Sequence, residues 1–246
     1  MSSHSDIQTN TETRIRSSTA ERLRTAFQNS IELDGTLAER LSAYAVASRE
    51  IFPAYGDAVD KLVSRIEENG AARSAPAPGQ SMPPFVLPDE SGRLVDLEAL
   101  LANGPTAIMF HRGHWCPYCR MSVDALVRSQ EELKSAGGQV VVITPERQEY
   151  AKRFKSDWGV PFPILTDLDN GYALALGLAV WLTPDIQQLL ADRDLPAFHG
   201  NDGWMVPIPA TFVVGADGLV KTRFIDPDFR RRMDVESLVS VLRAAR

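Results

Sequence analysis

Phe110-His111-Arg112-Gly113-His114-Trp115-Cys116-Pro117-Tyr118-Cys119-Arg120 is the stretch on which the fold turns. Thr106 to Phe110 (TAIMF) precedes it and reads as a short buried strand. Pro117 to about Leu133 follows with helical spacing, Met121, Leu126 and Val127 lying on one side. Cys116 therefore falls at a helix start, where free backbone N–H groups and the helix dipole favour a thiolate. Pro117 suits the first helical position because the N–H it lacks would be unpaired there anyway. Cys119, three residues on, puts both sulfurs on one side of the first turn. An exposed Cys116 can then attack, and a more buried Cys119 can close a disulfide with it. Arg112, His114 and Arg120 add positive charge that would lower the Cys116 pKa further. The chain has only these two cysteines, which favours a redox pair over a disulfide framework and fits a reducing cytoplasm.

Working outward, Gln139 to Thr144 (QVVVIT) is a second buried strand, Gln148 to Trp158 a helix, and PFPILTD holds a further strand. Asn170 to Leu176 is a short helix, and Thr183-Pro184 starts another that runs to Leu190. Ala210 to Val214 and Leu219 to Phe224 form a hairpin through Ala216-Asp217-Gly218. Asp234 caps a last helix with Val235, Leu238 and Leu242 on its apolar side. Upstream, PPFVLPDESGRLVDL reads as two short strands around Glu90-Ser91-Gly92. This order predicts an α/β fold with a mixed central sheet flanked by helices. Before it, Leu37, Leu41, Tyr44 and Ala45 form one helical stripe and Val59, Leu62, Val63 and Ile66 another. Pro53 separates the two helices and Gly70 closes the second. The expected organisation is a polar, disordered tail over 1–18, a helical extension and linker over 19–75, and the α/β domain over 76–246.

Of 246 residues, 44% are hydrophobic and 24% charged, enough for a sizeable core, and the net charge is −6. That sign argues against nucleic acid as a general partner. No apolar run approaches the ~18 residues of a membrane helix, and the first residues lack the apolar core of a secretory signal.

The motif, together with VVVITPE, FPILTD, FHGNDGW, VPIPATFVVGADG and FIDPDFRRRM, resembles the peroxiredoxin superfamily, the alkyl hydroperoxide reductase/thiol-specific antioxidant (AhpC/TSA) group. It is most similar there to the bacterial branch that carries Trp-Cys-Pro-Tyr-Cys. The resemblance covers about residues 76–246. It implies a thioredoxin-like fold and an antioxidant thiol peroxidase reset by thioredoxin or a similar dithiol. By the same resemblance Cys116 is the peroxidatic cysteine, oxidised to a sulfenic acid, and Cys119 resolves it. Neither a metal nor an organic cofactor is implied.

The chain also departs from that pattern. Well-studied relatives carry Pro-x-x-x-Thr/Ser-x-x-Cys, whereas Met109 and Gly113 stand at those places here. An arginine two residues before the strand threonine is replaced by Pro209. Thioredoxins and glutaredoxins have a proline there, usually cis and facing the sulfur, so Pro209 with Cys-Pro-Tyr-Cys also fits disulfide exchange. Arg112 is the candidate substitute for the missing arginine. Trp115, Pro117, Tyr118 and His114 are candidate substrate contacts, with Trp115 as thiolate shield or docking surface, Tyr118 exposed between the cysteines, and His114 as proton carrier or positive neighbour. His111 reads as structural and His199 as making a loop hydrogen bond. Arg230-Arg231-Arg232 reads as a solvated face. Zinc on Cys116, Cys119, His111 and His114 fits poorly, since a helix-start pair and a strand-end histidine do not converge. The two N-terminal stripes either cover the domain or pair two subunits into a homodimer.

Overall fold

The computed structural model describes residues 18–245. The expected disordered tail therefore lies, but for its last residue, outside the described residues. Helix α1 occupies residues 18–31, followed by α2 (Leu37–Ile51) and α3 (Pro53–Glu68). A capping box opens α2: the Glu39 N–H donates to Thr36 Oγ1 (3.2 Å) and the Thr36 N–H to Glu39 Oε2 (2.7 Å). Pro53 opens α3 at its first position, as its fixed φ and missing N–H allow.

The α/β part runs β1 (Val86–Pro88), β2 (Leu94–Asp96), α4 (Leu97–Leu101), β3 (Thr106–Phe110), α5 (Pro117–Arg128), α6 (Gln130–Ser135) and β4 (Gln139–Thr144). It continues through α7 (Gln148–Trp158), β5 (Ile164–Thr166), α8 (Gly171–Ala175), β6 (Ala179–Trp181), α9 (Pro184–Leu189) and α10 (Leu195–His199). It closes with β7 (Met205–Pro207), β8 (Ala210–Val214), β9 (Val220–Ile225) and α11 (Val235–Ala244). The central sheet has the order β5-β4-β3-β8-β9. β3, β4 and β5 are parallel, while β8 is antiparallel to both β3 and β9. This is the mixed sheet of the thioredoxin-like fold. Alternate residues of β3 and β4 face opposite layers. Ile108, Phe110, Val141 and Ile143 meet Phe212 on one side, and Ala107, Met109, Val140 and Val142 meet Leu238 and Leu242 on the other.

Four local expectations are corrected. The helix that starts at Pro117 breaks at Ser129, whose φ of −101° and ψ of 22° leave helical geometry, so α5 and α6 are two pieces. Asp234 and Thr183 hold N-cap positions without a side-chain capping bond. β6 and β7 form an antiparallel pair that the sequence pattern did not reveal; at three residues each, they are too short to show a period. The peptide bond before Pro209 is trans, since no cis bond occurs among the described residues.

The N-terminal helices do not stand apart from the sheet domain. Leu37, Leu41, Tyr44, Val59, Leu62 and Ile66 share one apolar cluster with Trp115, Cys116, Tyr118 and Cys119. α2 packs on α5 and α3 on α9. Arg40 on α2 pairs with Asp124 on α5 at 3.5 Å, and Arg230 pairs with Asp60 on α3 at 3.0 Å. Both apolar stripes are thus buried within the chain, leaving Leu33 and Val46 as the exposed large apolar residues of this region. No helix among the described residues is long and apolar enough to cross a membrane.

Leu62 is 1% exposed. A Leu62→Ala variant should lose about 2–5 kcal/mol in urea unfolding. It should also be alkylated faster at Cys116 in the native state, because the cover over the motif loosens. Alkylation at the unmodified rate would show that α3 does not shield the thiol.

Candidate active site

β3, the central strand, delivers its last residue, Phe110, to the end of the sheet where α5 begins, and Cys116 is the N-cap of α5. Pro209 lies one step beyond the Phe110–Ala210 pair of β3 and β8, so it reaches the same sheet end. Both cysteines are free thiols. Cys116 is 1% exposed and Cys119 is 0% exposed, which corrects the expectation of an exposed attacking thiol. α2 and α3, packed over the motif, are the cause.

Burial alone would raise the Cys116 pKa, yet it is lowered to about 6. The Cys119 thiol, donating a hydrogen bond to the Cys116 sulfur, and the Arg112 and Arg232 guanidiniums outweigh the burial. Backbone N–H of the first turn contributes less than the sequence suggested, since the Cys119 N–H also bonds the Cys116 carbonyl at 3.1 Å. Cys119 moves the other way: burial, its bond to Cys116 and the Cys116 charge all push its pKa far up. The pair is therefore split into one sulfur that ionises readily and one that keeps its proton.

Arg112 is 2% exposed. Its guanidinium carbon stands 3.9 Å from the Phe229 ring centroid and 4.9 Å from that of Trp115, and its backbone N–H points at Cys119 Sγ (3.4 Å). Nε and Nη1 of Arg112 are buried without a partner. Arg232 is 7% exposed, so the triple-arginine run is not wholly a solvated face. Its Nη2 donates to Cys119 Sγ at 3.7 Å, and its Nη1 to the carbonyls of Phe229 and Arg231. Arg231 is exposed and paired with Asp226, and Arg230 is half-buried and paired with Asp228 and Asp60.

Three aromatic residues complete the walls. Tyr118 is 5% exposed, not exposed between the cysteines. Its ring meets Tyr44 at 5.3 Å and Phe229 at 5.5 Å, both edge-on, so two elements the motif does not contain enclose it. Tyr55 of α3 is half-buried; burial raises its pKa, with Arg112 pulling it back. Trp115 is 7% exposed and packs in the same cluster. Trp115 and Pro117 line a cleft of about 880 Å³, with Leu23, Phe27 and Tyr44 on its walls. Arg120 borders that cleft while donating to the His114 carbonyl.

His114 is tied to a residue that the sequence reading passed over. Glu146 accepts from the His114 N–H at 2.8 Å and lies 2.5 Å from His114 Nδ1. Glu146 is fully buried; this raises its pKa, and the contacts with His114 oppose the rise. Gly113 makes the approach feasible: at φ +131° a Cβ would stand 2.4 Å from the Glu146 carboxyl carbon. A glycine at 113 is therefore required by this packing. Glu146 sits in the quoted VVVITPE, but nothing in that run distinguishes a buried carboxylate from a surface one.

His111 and His199 are each 1% exposed, and neither ring nitrogen of either has a partner. His199 therefore lacks the expected loop hydrogen bond. Burial lowers both pKa values to about 4. Among the described residues, no three His, Cys, Asp or Glu side chains gather as a metal site requires.

The AhpC/TSA family model matches residues 78–223. Chloroplastic peroxiredoxin Q of Sedum lineare is 34% identical over 92 residues, 37% of this chain and 49% of that protein. The chain thus spans about half the length of such curated relatives. The thiol-disulfide oxidoreductase ResA of Bacillus subtilis is 24% identical over 151 residues, 61% of this chain and 68% of that protein. The crystal structure of peroxidoxin BcpB from Mycobacterium tuberculosis superposes with a TM-score of 0.55 at 20% identity, over 70% of this chain and 99% of that one. At that identity the superposition speaks to the fold.

Two pH effects follow. Thiolate ultraviolet absorbance of the native protein should rise with a midpoint near pH 6 and vanish in Cys116→Ser. A midpoint above pH 8 would mean that the arginines do not act on Cys116. The unfolding free energy should fall as pH drops from 6.5 to 4, because unfolded His111 and His199 take up protons there and the folded ones, at about 4, do not. The loss is at most about 3 kcal/mol per histidine. Chemical denaturation of His199→Phe across this range should show a shallower slope.

Proposed function

The chain belongs to the AhpC/TSA family, and on that premise we propose that it is a thiol peroxidase acting on hydrogen peroxide or organic hydroperoxides. The observation that carries the reading is a buried Cys116 with its pKa held near 6 between a second thiol and two guanidiniums. At neutral pH its sulfur is mostly thiolate, the form that attacks peroxides.

Cys116 Sγ attacks one peroxide oxygen and the O–O bond breaks. The departing oxygen takes a proton and leaves as water or an alcohol. Cys116 becomes a sulfenic acid, Cys119 condenses with it, water leaves, and an external dithiol such as thioredoxin restores both thiols. The free N–H groups of Arg112 supply the charge stabilisation that relatives draw from their threonine and arginine. Approach is through the cleft lined by Trp115 and Pro117. Tyr118 acts as packing around the sulfur, and His114, with Glu146, fixes the loop. The chemistry needs one chain, since both cysteines are in it, and a reducing cytoplasm suits their free state. Disulfide exchange is the second reading, supported by Pro209 at the same sheet end and by the similarity to ResA.

Stopped-flow oxidation by hydrogen peroxide separates the two. Peroxidase action requires Cys116 to react at least about a hundred-fold faster than a free thiolate, and Cys116→Ser to be inert. Arg112→Met should lower that rate constant about ten-fold or more while far-ultraviolet circular dichroism stays unchanged. A rate no higher than that of a small thiol, with rapid reduction of insulin disulfides, would establish the exchange reading instead.

A further inference from the structure

Resolution poses a problem that the first step does not. Cys119 must be deprotonated to attack the Cys116 sulfenic acid, because the thiolate is the nucleophile. Yet in the reduced site Cys119 keeps its proton, being buried beside an ionised neighbour. Once Cys116 carries an oxygen, the bond and the negative charge that held that proton on Cys119 are gone. What remains against the Cys119 sulfur is the Arg112 backbone N–H at 3.4 Å and Arg232 Nη2 at 3.7 Å, with the His111 imidazole also acting on it but, its pKa lowered to about 4 by burial, carrying no charge at neutral pH. The backbone N–H has no net charge. Among the described residues, Arg232 has no carboxylate partner, whereas its neighbours Arg230 and Arg231 are both paired. Its Nη1 is held by two carbonyls, and its Nε is buried without a partner. A fixed, unneutralised cation thus sits against the second sulfur.

We propose that Arg232 is the catalytic residue of the resolving half-reaction, the counter-ion that lets Cys119 ionise and attack once Cys116 is a sulfenic acid. This rests on the peroxidase reading above. In the step, the Cys119 thiolate forms an S–S bond to Cys116 Sγ as the Cys116 S–O bond breaks. The hydroxide released takes up the proton Cys119 has lost and leaves as water. Cys119 sulfur is oxidised, Cys116 sulfur is reduced, and no further oxidant is consumed. Both guanidiniums favour the Cys116 thiolate, but Arg232 is the one in contact with the sulfur that closes the disulfide, so its loss falls more heavily on the second step than on the first. Arg232 also lines a second cleft of about 530 Å³, formed with Ala38, Leu41 and Ser42 of α2 and separate from the cleft of Trp115 and Pro117.

The test follows both phases of oxidation by hydrogen peroxide in the full chain, with tryptophan fluorescence for the time course and a sulfenic-acid trap read by mass spectrometry. In Arg232→Gln the ratio of the second rate constant to the first should fall about ten-fold or more, as a thiol shifted by one pKa unit loses ten-fold in thiolate. Trapped sulfenic acid and sulfinic acid at Cys116 should accumulate, and the pH at which the second phase reaches half its maximum should rise. Arg232→Lys should recover most of the ratio, which a lost packing contact would not. A preserved ratio, an equal fall in both phases, or no recovery by lysine overturns the assignment while the peroxidase reading stands. No fast first phase in the unsubstituted chain overturns both.

Discussion

Two buried guanidiniums against one dithiol set the terms for the rest of this structure. Taking an arginine out of water costs several kcal/mol unless charge and hydrogen bonds compensate. Neither Arg112 nor Arg232 has an ion-pair carboxylate among the described residues. Arg112 is held by the faces of Phe229 and Trp115 and Arg232 by backbone carbonyls. The nearby buried carboxylate, Glu146, is engaged by His114. The charge left to balance them is a thiolate. Ionisation of Cys116 and tolerance of the arginines are thus one constraint, and the same low dielectric that makes the cations costly makes them effective.

That constraint explains why the helical extension is folded onto the site. Without α2 and α3 the guanidiniums and sulfurs would face water, and their mutual effect would be screened. Tyr44 and Leu41 of α2 close over Tyr118, and α3 reaches further round. Asp60 on α3 holds Arg230, the first arginine of the run that ends in Arg232, and Phe229 directly precedes it. One partly exposed ion pair adds little to stability by itself. Its place matters more, because it anchors the loop that carries both the ring beneath Arg112 and the cation at Cys119. The extension is therefore both cover and support.

On the opposite side, the loop between β3 and α5 is fixed by Glu146. Its carboxylate fits because Gly113 has no side chain, and it binds both the main chain and the ring of His114. The His114 ring in turn stacks on Tyr150 at 5.2 Å. Gly113 is thus given over to positioning the loop.

Much was legible from residue pattern. TAIMF and QVVVIT are strands because both faces of a central strand are buried, so their residues between the polar ends Thr106, Gln139 and Thr144 are apolar. The Cys-Pro-x-Cys helix start follows from proline's fitness for the first turn, and the stripes of α2 and α3 from helical spacing. Local chemistry of this kind acts between neighbours in the chain, and a sequence displays it directly. What covers a residue is not local. Cys116 and Tyr118 are buried because helices far upstream, α2 and α3, lie across them. Arg232 became a site residue because a loop 113 positions from Cys119 returns to it, and in sequence it looks like the two arginines before it until that loop is placed. The sequence determined by itself the sheet, the dithiol and the helix that presents it. Only the tertiary structure decided which charges surround the two sulfurs, because electrostatic influence depends on distance and burial, and neither is written in residue order.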